Sequence, residues 1–293
     1  MLNHRKELLI IVSIIIFSYF FLSIVATGIF FVFSDSALSS LSPVSALMEN
    51  RVLMLSLNSL SILMFISPLF YVRRLNHYST NLFKIYLTPF VLIILSTLFF
   101  MVLNSEVIEW NKSIIFPEFM REFETWAYNK EKELEKITIF LVSFENNWQY
   151  LFGILTIAII PGICEEFLFR GVLQKNFYLI SNNIHLSILI SAFLFSALHL
   201  QFYGFFPRML LGILFGYVFY WSGSLIYPII GHVFNNFFSL SIFYFSQKGY
   251  MGDDLSLSVN SAPDIPFLVT FFSFFIFLFL MYSFKKYFNE YRE

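Results

Sequence analysis

Long apolar runs separated by short polar breaks dominate the chain. A membrane-crossing helix needs about 20 apolar residues. By that measure eight runs qualify, at about 8–33, 52–72, 85–103, 149–173, 184–203, 206–222, 224–245 and 266–284. The second is interrupted by Asn58 and several serines, and the sixth is short enough to be tilted or partly buried. The first run, Leu8 to Phe33, exceeds the roughly 7–15-residue core of a signal peptide and predicts a retained span. The pattern predicts an all-α polytopic membrane protein of about eight transmembrane helices. It divides into three N-terminal helices (1–104), an extracytoplasmic loop (105–148), a four-helix core (149–245), and a second loop, last helix and basic tail (246–293). No internal repeat is evident.

Lysine and arginine placement orients the spans. Arg5 and Lys6, then Arg73, Arg74 and Lys84, then Lys175, and finally Lys285, Lys286 and Arg292 all fall on one side of an even number of spans. That side is the cytoplasm, which holds both termini, and the membrane is taken to be the plasma membrane. The loop from 104 to 148, with five basic and nine acidic residues, falls outside. Within it Pro117 opens a predicted helix running to about Val142. Phe116, Phe119, Met120, Phe123 and Ala127 recur at helical spacing, with charge on the opposite face. This reads as a helix lying on the membrane surface; a lid over a substrate site is the sharper alternative. Asp253, Asp254 and Asp264 mark a second external loop and read as solvated.

Composition agrees. The chain is 58% hydrophobic and 21% aromatic but only 13% charged, against about 25% charged in soluble domains. Net charge is near zero and no basic domain appears, so nucleic acid is not an expected partner. One cysteine rules out an intrachain disulfide framework.

Against this background Glu165, Glu166 and Arg170 stand out inside an apolar run. Each charge at membrane depth costs about 2.5 to 3.5 kcal/mol on insertion scales, so such residues mark function by default. Residues four apart on a helix share a face. Glu166 and Arg170 are therefore natural ion-pair partners, and Glu165 is turned about 100° away. His199 shares a face with Phe195, and His232 with Asn236. The other histidines, His4, His77 and His185, lie in flanks or at a helix start. At about 1.5 Å per residue, Glu165 lies roughly 14 Å, His232 roughly 12 Å and Asn236 roughly 18 Å from the cytoplasmic face. His199 comes out near 23 Å on the same scale, level with the others after a small tilt. A lone intramembrane His or Asn is often interhelical glue; several in three neighbouring spans argue for a site. Cys164 and Ser196 read as packing residues.

The strings Glu165-Glu166-x-x-x-Arg170, Phe195-x-x-x-His199 and His232-x-x-x-Asn236 resemble the three motifs of the CPBP family. That family takes in CaaX-processing endopeptidases and bacteriocin-processing or immunity-related Abi membrane proteases. The motifs occur in the expected order across about 72 residues, with Gly171 and Gly231 beside them also similar. Residues 1–148 and 246–293 carry no motif. The resemblance implies peptide-bond hydrolysis inside the bilayer, on a membrane-embedded or lipidated peptide or protein. It implies Glu165 as general base with His199 on the same water, and His232 and Asn236 as oxyanion donors. Glu166 and Arg170 would shape the site, with Phe195 packing.

Two histidines and a carboxylate also form a catalytic zinc set, so Glu165, His199 and His232 are the ligands if zinc or another divalent metal is bound. The compact H-E-x-x-H signature is absent, and the reading favoured is one that requires no cofactor. Two other functions share these residues: a proton- or ion-coupled carrier, since buried Glu and His also build relays, and a non-catalytic immunity or scaffold protein. The residues leave open which peptide is cut, whether it is prenylated, and the oligomeric state.

Overall fold

A computed structural model of the chain describes residues 2–33, 48, 50–72, 85–250 and 265–290. Of the charged residues used above, Arg73, Arg74, His77, Lys84, Asp253, Asp254, Asp264 and Arg292 lie outside that set. The described residues form helices and turns without strands. In chain order the helices are α1 (Leu2–Phe33), α2 (Arg51–Val72, tightened to a 3₁₀ turn at Leu63–Ile66), α3 (Leu87–Lys112), α4 (Arg121–Val142), α5 (Asn147–Ser181), α6 (Ile184–Ala197), α7 (Phe205–Ser222), α8 (Ile226–Gln247) and α9 (Phe267–Glu290). The chain is an integral membrane protein: seven of these helices are long and apolar enough to cross a bilayer.

The fifth predicted span behaves differently from expectation. Helix α6 has 14 residues, about 21 Å at the helical rise, against a hydrocarbon core of about 30 Å. It ends at Ala197, and His199 lies in the following turn, where Leu200 takes a positive φ of 54°. The run at 184–203, rather than that at 206–222, is therefore the short one. A tight turn joins α5 to α6. Asn182 adopts the left-handed conformation that ends α5 (φ 52°), and the Asn183 side chain caps α6 by accepting from Leu186 N–H at 3.1 Å. Asparagine suits both positions because its short amide tolerates positive φ and caps helix starts.

Helix α5 is the centre of the molecule. Half of its most apolar window is buried inside the protein, against 6% for α1, whose phenylalanines and isoleucines face outward. Pro161 and Gly162 do not break it. The helix runs continuously and absorbs the proline by widening to π geometry at Ile154–Ile159, then again at Phe167–Gln174. Such widenings recur at functional sites. Around α5 sit two apolar clusters. Leu168, Phe169, Val172 and Leu173 pack on Ile11, Val72 and Phe195 from α1, α2 and α6. Ile93, Phe215, Tyr227 and Phe284 join α3, α7, α8 and α9.

The loop helix forms as predicted: a 3₁₀ turn at Glu118–Met120 after Pro117 leads into α4. Phe116 and Phe123 pack on Phe202, with ring centroids 4.7 and 5.8 Å away. Arg51 pins the far end of α4, donating to Phe140 O at 2.7 Å and to Glu145 and Gln149 at 3.1 and 2.9 Å. The charged face is not wholly outward, because Glu131 turns inward against α7.

Candidate active site

The site is built where α5, α6, α7 and α8 approach most closely. Gly162 makes the α5–α8 approach: a Cβ there would lie 2.7 Å from Val233 Cγ2 and 3.1 Å from its backbone nitrogen. That contact brings Glu165, one turn on, level with His232. On the other side α7 presents Gly212 and Gly216 four residues apart. A Cβ on Gly212 would lie 2.9 Å from Ala192 Cβ, so the pair lets α6 and α7 pack closely, as small residues do in membranes. It also bares two carbonyls. Arg170 donates to Gly212 O at 3.0 Å and Gln174 to Gly216 O at 3.1 Å. The i, i+4 pair on α5 thus matches the i, i+4 pair on α7.

Glu166 and Arg170 form the buried heart of this junction. Arg170 Nη1 donates to Glu166 Oε1 at 2.6 Å, and their side chains are 0–1% exposed. The same oxygen receives His232 Nδ1 at 2.8 Å. An imidazole that donates through Nδ1 to a carboxylate is fixed in orientation, and its Nε2 then lies 3.7 Å from Glu165 Oε2. Aromatic rings close the walls. Phe215 stacks on His232 at 5.5 Å with an interplanar angle of 25°. Phe195 lies edge-on between His232 and His199, with centroids 5.8 and 5.2 Å away. The Arg170 guanidinium sits over Phe195 at 5.1 Å.

Glu165, by contrast, makes no hydrogen bond among the described residues and is 8% exposed. His199 is held through Nδ1 by Phe195 O at 2.9 Å, which leaves its Nε2 unengaged. Glu165 and His199 are not an ion pair: no contact within 4 Å joins them, and the nearest histidine to Glu165 is His232. Asn236 lies one turn beyond His232, and its Nδ2 reaches Ile157 O at 3.4 Å. Pro161 has no N–H for that carbonyl, so the asparagine serves a group that the proline leaves open. Cys164 is buried and free.

Residues 147–238 match the family model for the Rce1-like type II CAAX prenyl endopeptidases. Over that stretch the chain is similar to an Rce1-like domain. The stretch occupies about a third of the chain, α5 to the middle of α8, and holds all seven named residues of the three motifs. The Rce1-like family is a protease family, and the resemblance drawn from the motifs is the same family. No curated protein and no solved structure matches the chain.

Whether the Rce1-like region could hold a metal is a question of donor convergence. Among the described residues no three His, Cys, Asp or Glu side chains come together as a metal set. His232 Nδ1 is committed to Glu166, and Glu165 and His199 stand apart. The donors as placed do not fit a three-ligand zinc site.

Sequence reasoning passed over four residues that the fold makes prominent. Gln174 and the Gly212/Gly216 pair gave a signal in their matched spacing. Arg208, an ionisable residue at the head of an apolar run, deserved the same suspicion as Arg170. It lines a cavity of about 670 Å³ between α3, α4, α7 and α8, together with Glu131 and Asn235. The motif residues do not line that cavity. It adjoins them through Asn235, whose side chain donates to Asn236 Oδ1 at 3.2 Å.

Proposed function

We propose that the protein is an intramembrane endopeptidase that hydrolyses a peptide bond of a membrane-embedded or lipidated peptide, with water activated by side chains. The observation that carries this reading is the asymmetry of two adjacent carboxylates. Glu166 is closed by Arg170 and His232, whereas Glu165 has no hydrogen bond among the described residues and faces a fixed imidazole at 3.7 Å. A general base needs a free lone pair within reach of water, directly or through its neighbours.

In the proposed step Glu165 takes a proton from water as its oxygen attacks the carbonyl carbon. His199, with Nδ1 tied to Phe195 O, offers Nε2 to the same water. The carbonyl oxygen gains charge and is met by His232 Nε2–H and Asn236 Nδ2–H. Donation from Nε2 requires the imidazolium form, in which two carboxylates are balanced by Arg170 and His232. The tetrahedral centre then collapses, the C–N bond breaks, and the proton on Glu165 passes to the leaving amine. Oxyanion donors of this kind are each worth about 2.7–4 kcal/mol. No step is routed through a metal. With α6 taken as an eighth crossing despite its 14 residues, the charge pattern supports both termini in the cytoplasm of a plasma-membrane protein, with the large cavity on the outer side.

The test is cleavage of a library of membrane-anchored peptides by reconstituted protein, compared with Glu165→Gln and His199→Ala. Loss of about 10³-fold on Glu165→Gln is expected for a general base, and activity should survive chelation. Equal cleavage by all three proteins, or none by the unsubstituted one, would sink the reading. Loss of pH-driven flux in sealed vesicles on Glu165→Gln would favour a carrier instead.

A further inference from the structure

The large cavity contains a second arginine–glutamate pair, built in the opposite way to the first. Arg208 Nη2 donates to Gln201 Oε1, and Gln201 Nε2 donates to Glu131 Oε1 at 3.3 Å. A neutral amide thus stands between the two charges and keeps them from forming a salt bridge. The consequence is unmet hydrogen bonding. Arg208 Nη1, Glu131 Oε2 and Asn104 Oδ1 are all buried without a hydrogen-bond partner among the described residues, and all three residues line the cavity. A buried polar atom without its full set of partners is costly, more so on a charged group, and three on one wall are three positions for a ligand to complete.

We propose that this wall is a subsite for the carboxylate of the peptide that is cleaved, held by Arg208, with a neighbouring N–H of the peptide received by Glu131 Oε2 and Asn104 Oδ1. The inference rests on the peptidase reading above and deepens it. Charge selects the ligand class. Lys112 is matched by Glu109 at 2.9 Å and Lys132 by Glu135 at 3.1 Å, so Arg208 is the wall's cation without a directly bonded carboxylate. Glu131 and Glu135 on the same wall disfavour a dianion such as phosphate, whereas a single carboxylate accepts the planar guanidinium fork well. Location selects the peptide. Asn235 joins the cavity to Asn236, and Leu211 precedes the Gly212 carbonyl that holds Arg170. The guanidinium rests on Gly204, where a Cβ would lie 2.6 Å from Nη2 and 2.9 Å from Cζ.

The experiment uses full-length protein in nanodiscs carrying Glu165→Gln, so that peptides bind without turnover. Acyl-anchored peptides are each made as the free acid, as the C-terminal amide, and as that amide with one added aspartate. The acid should bind about tenfold more tightly than the amide, the worth of one charged hydrogen bond in a dry site. Arg208→Gln should shrink that preference to about twofold or less with amide binding unchanged. Gly204→Ala keeps the charge but displaces the guanidinium, and should do the same if Arg208→Gln fails to fold. Tight binding of the aspartate amide would support the guanidinium site and move the source of the carboxylate from the chain end to a side chain. Equal binding of acid and amide, no binding of any peptide, or a preference that survives both variants would overturn the proposal. Failure of the peptidase reading looks different: the unsubstituted protein leaves every peptide intact whatever it binds.

Discussion

Two arginine–glutamate pairs lie close together in this molecule and have been put to opposite uses. Arg170 and Glu166 are in direct contact at 2.6 Å, take His232 and a backbone carbonyl as further partners, and have almost no exposed surface. Arg208 and Glu131 are held apart by Gln201 and keep an unpartnered atom each beside a cavity of about 670 Å³. The residue types are the same. The difference is in what stands between the charges. Direct contact makes a fixed frame for a histidine, and an interposed amide makes an open wall.

The comparison breaks most decisively at its closed end. Glu166→Ala leaves a buried guanidinium and an imidazole without their carboxylate, and truncating one member of a buried pair costs about 3–5 kcal/mol. Denaturant unfolding in detergent should show that loss, with Arg170→Met similar. Arg208→Gln should cost less than about 1 kcal/mol, because its charge has no salt-bridge partner to abandon. Equal losses at both arginines would mean that the cavity pair is structural too.

A smaller effect sharpens the same contrast through the backbone. Gly212 gives Arg170 its carbonyl and seats Ala192, whose Cα would lie 3.0 Å from an added Cβ. Backbone cannot yield as a flexible side chain does, so Gly212→Ala should force α6 from α7 and cost about 1–3 kcal/mol. At Gly204 the three atoms nearest an added Cβ all belong to the Arg208 guanidinium, so Gly204→Ala should leave the unfolding midpoint nearly in place. A midpoint for Gly212→Ala equal to that of the unsubstituted protein would show that the α6–α7 approach is slack.

These contrasts mark how far the sequence could be read. Glu166 and Arg170 were legible as a pair because helix periodicity places i and i+4 on one face, and that requires no tertiary knowledge. Helix α4 behind Pro117 was legible for the same reason, and the spanning helices through the length of their apolar runs. Periodicity is silent on what crosses between helices. The family resemblance paired Glu165 in expectation with His199, yet the fold sets His232 nearest to it, because Gly162 fits against Val233 and α6 stops at Ala197. Apolarity likewise measured the 184–203 run as a span, although the last residues of that run form the turn that carries His199. Arg208 was hidden by its position near a helix start, where a long side chain is expected to reach for the interface. The packing of α4 beside it half-buries that charge.

The smallest effect concerns Glu131 itself, on α4 outside the spanning helices. Burial pushes its carboxyl above the ordinary carboxylate range and Glu135 adds to that, while Arg208, the Tyr203 backbone N–H and Lys112 pull it down. The sign is the reverse of a salt-bridged acid. A carboxyl raised in the docked state prefers to be protonated there, so its contribution to docking is greatest at low pH. That contribution falls as pH climbs from the ordinary carboxylate value through the raised one, and is flat beyond it. Hydrogen exchange of the α4 amides, corrected for intrinsic rate, should therefore show less opening on the acid side of that window. The ion pairs Lys130–Glu133 and Lys132–Glu135 weaken with acid and act the other way, so the informative quantity is the difference from Glu131→Gln, which keeps the pairs and removes the titration. If the two proteins share one pH slope, Glu131 is charged and at ease in the docked helix, and the amide of Gln201 is a better bridge to Arg208 than its geometry suggests.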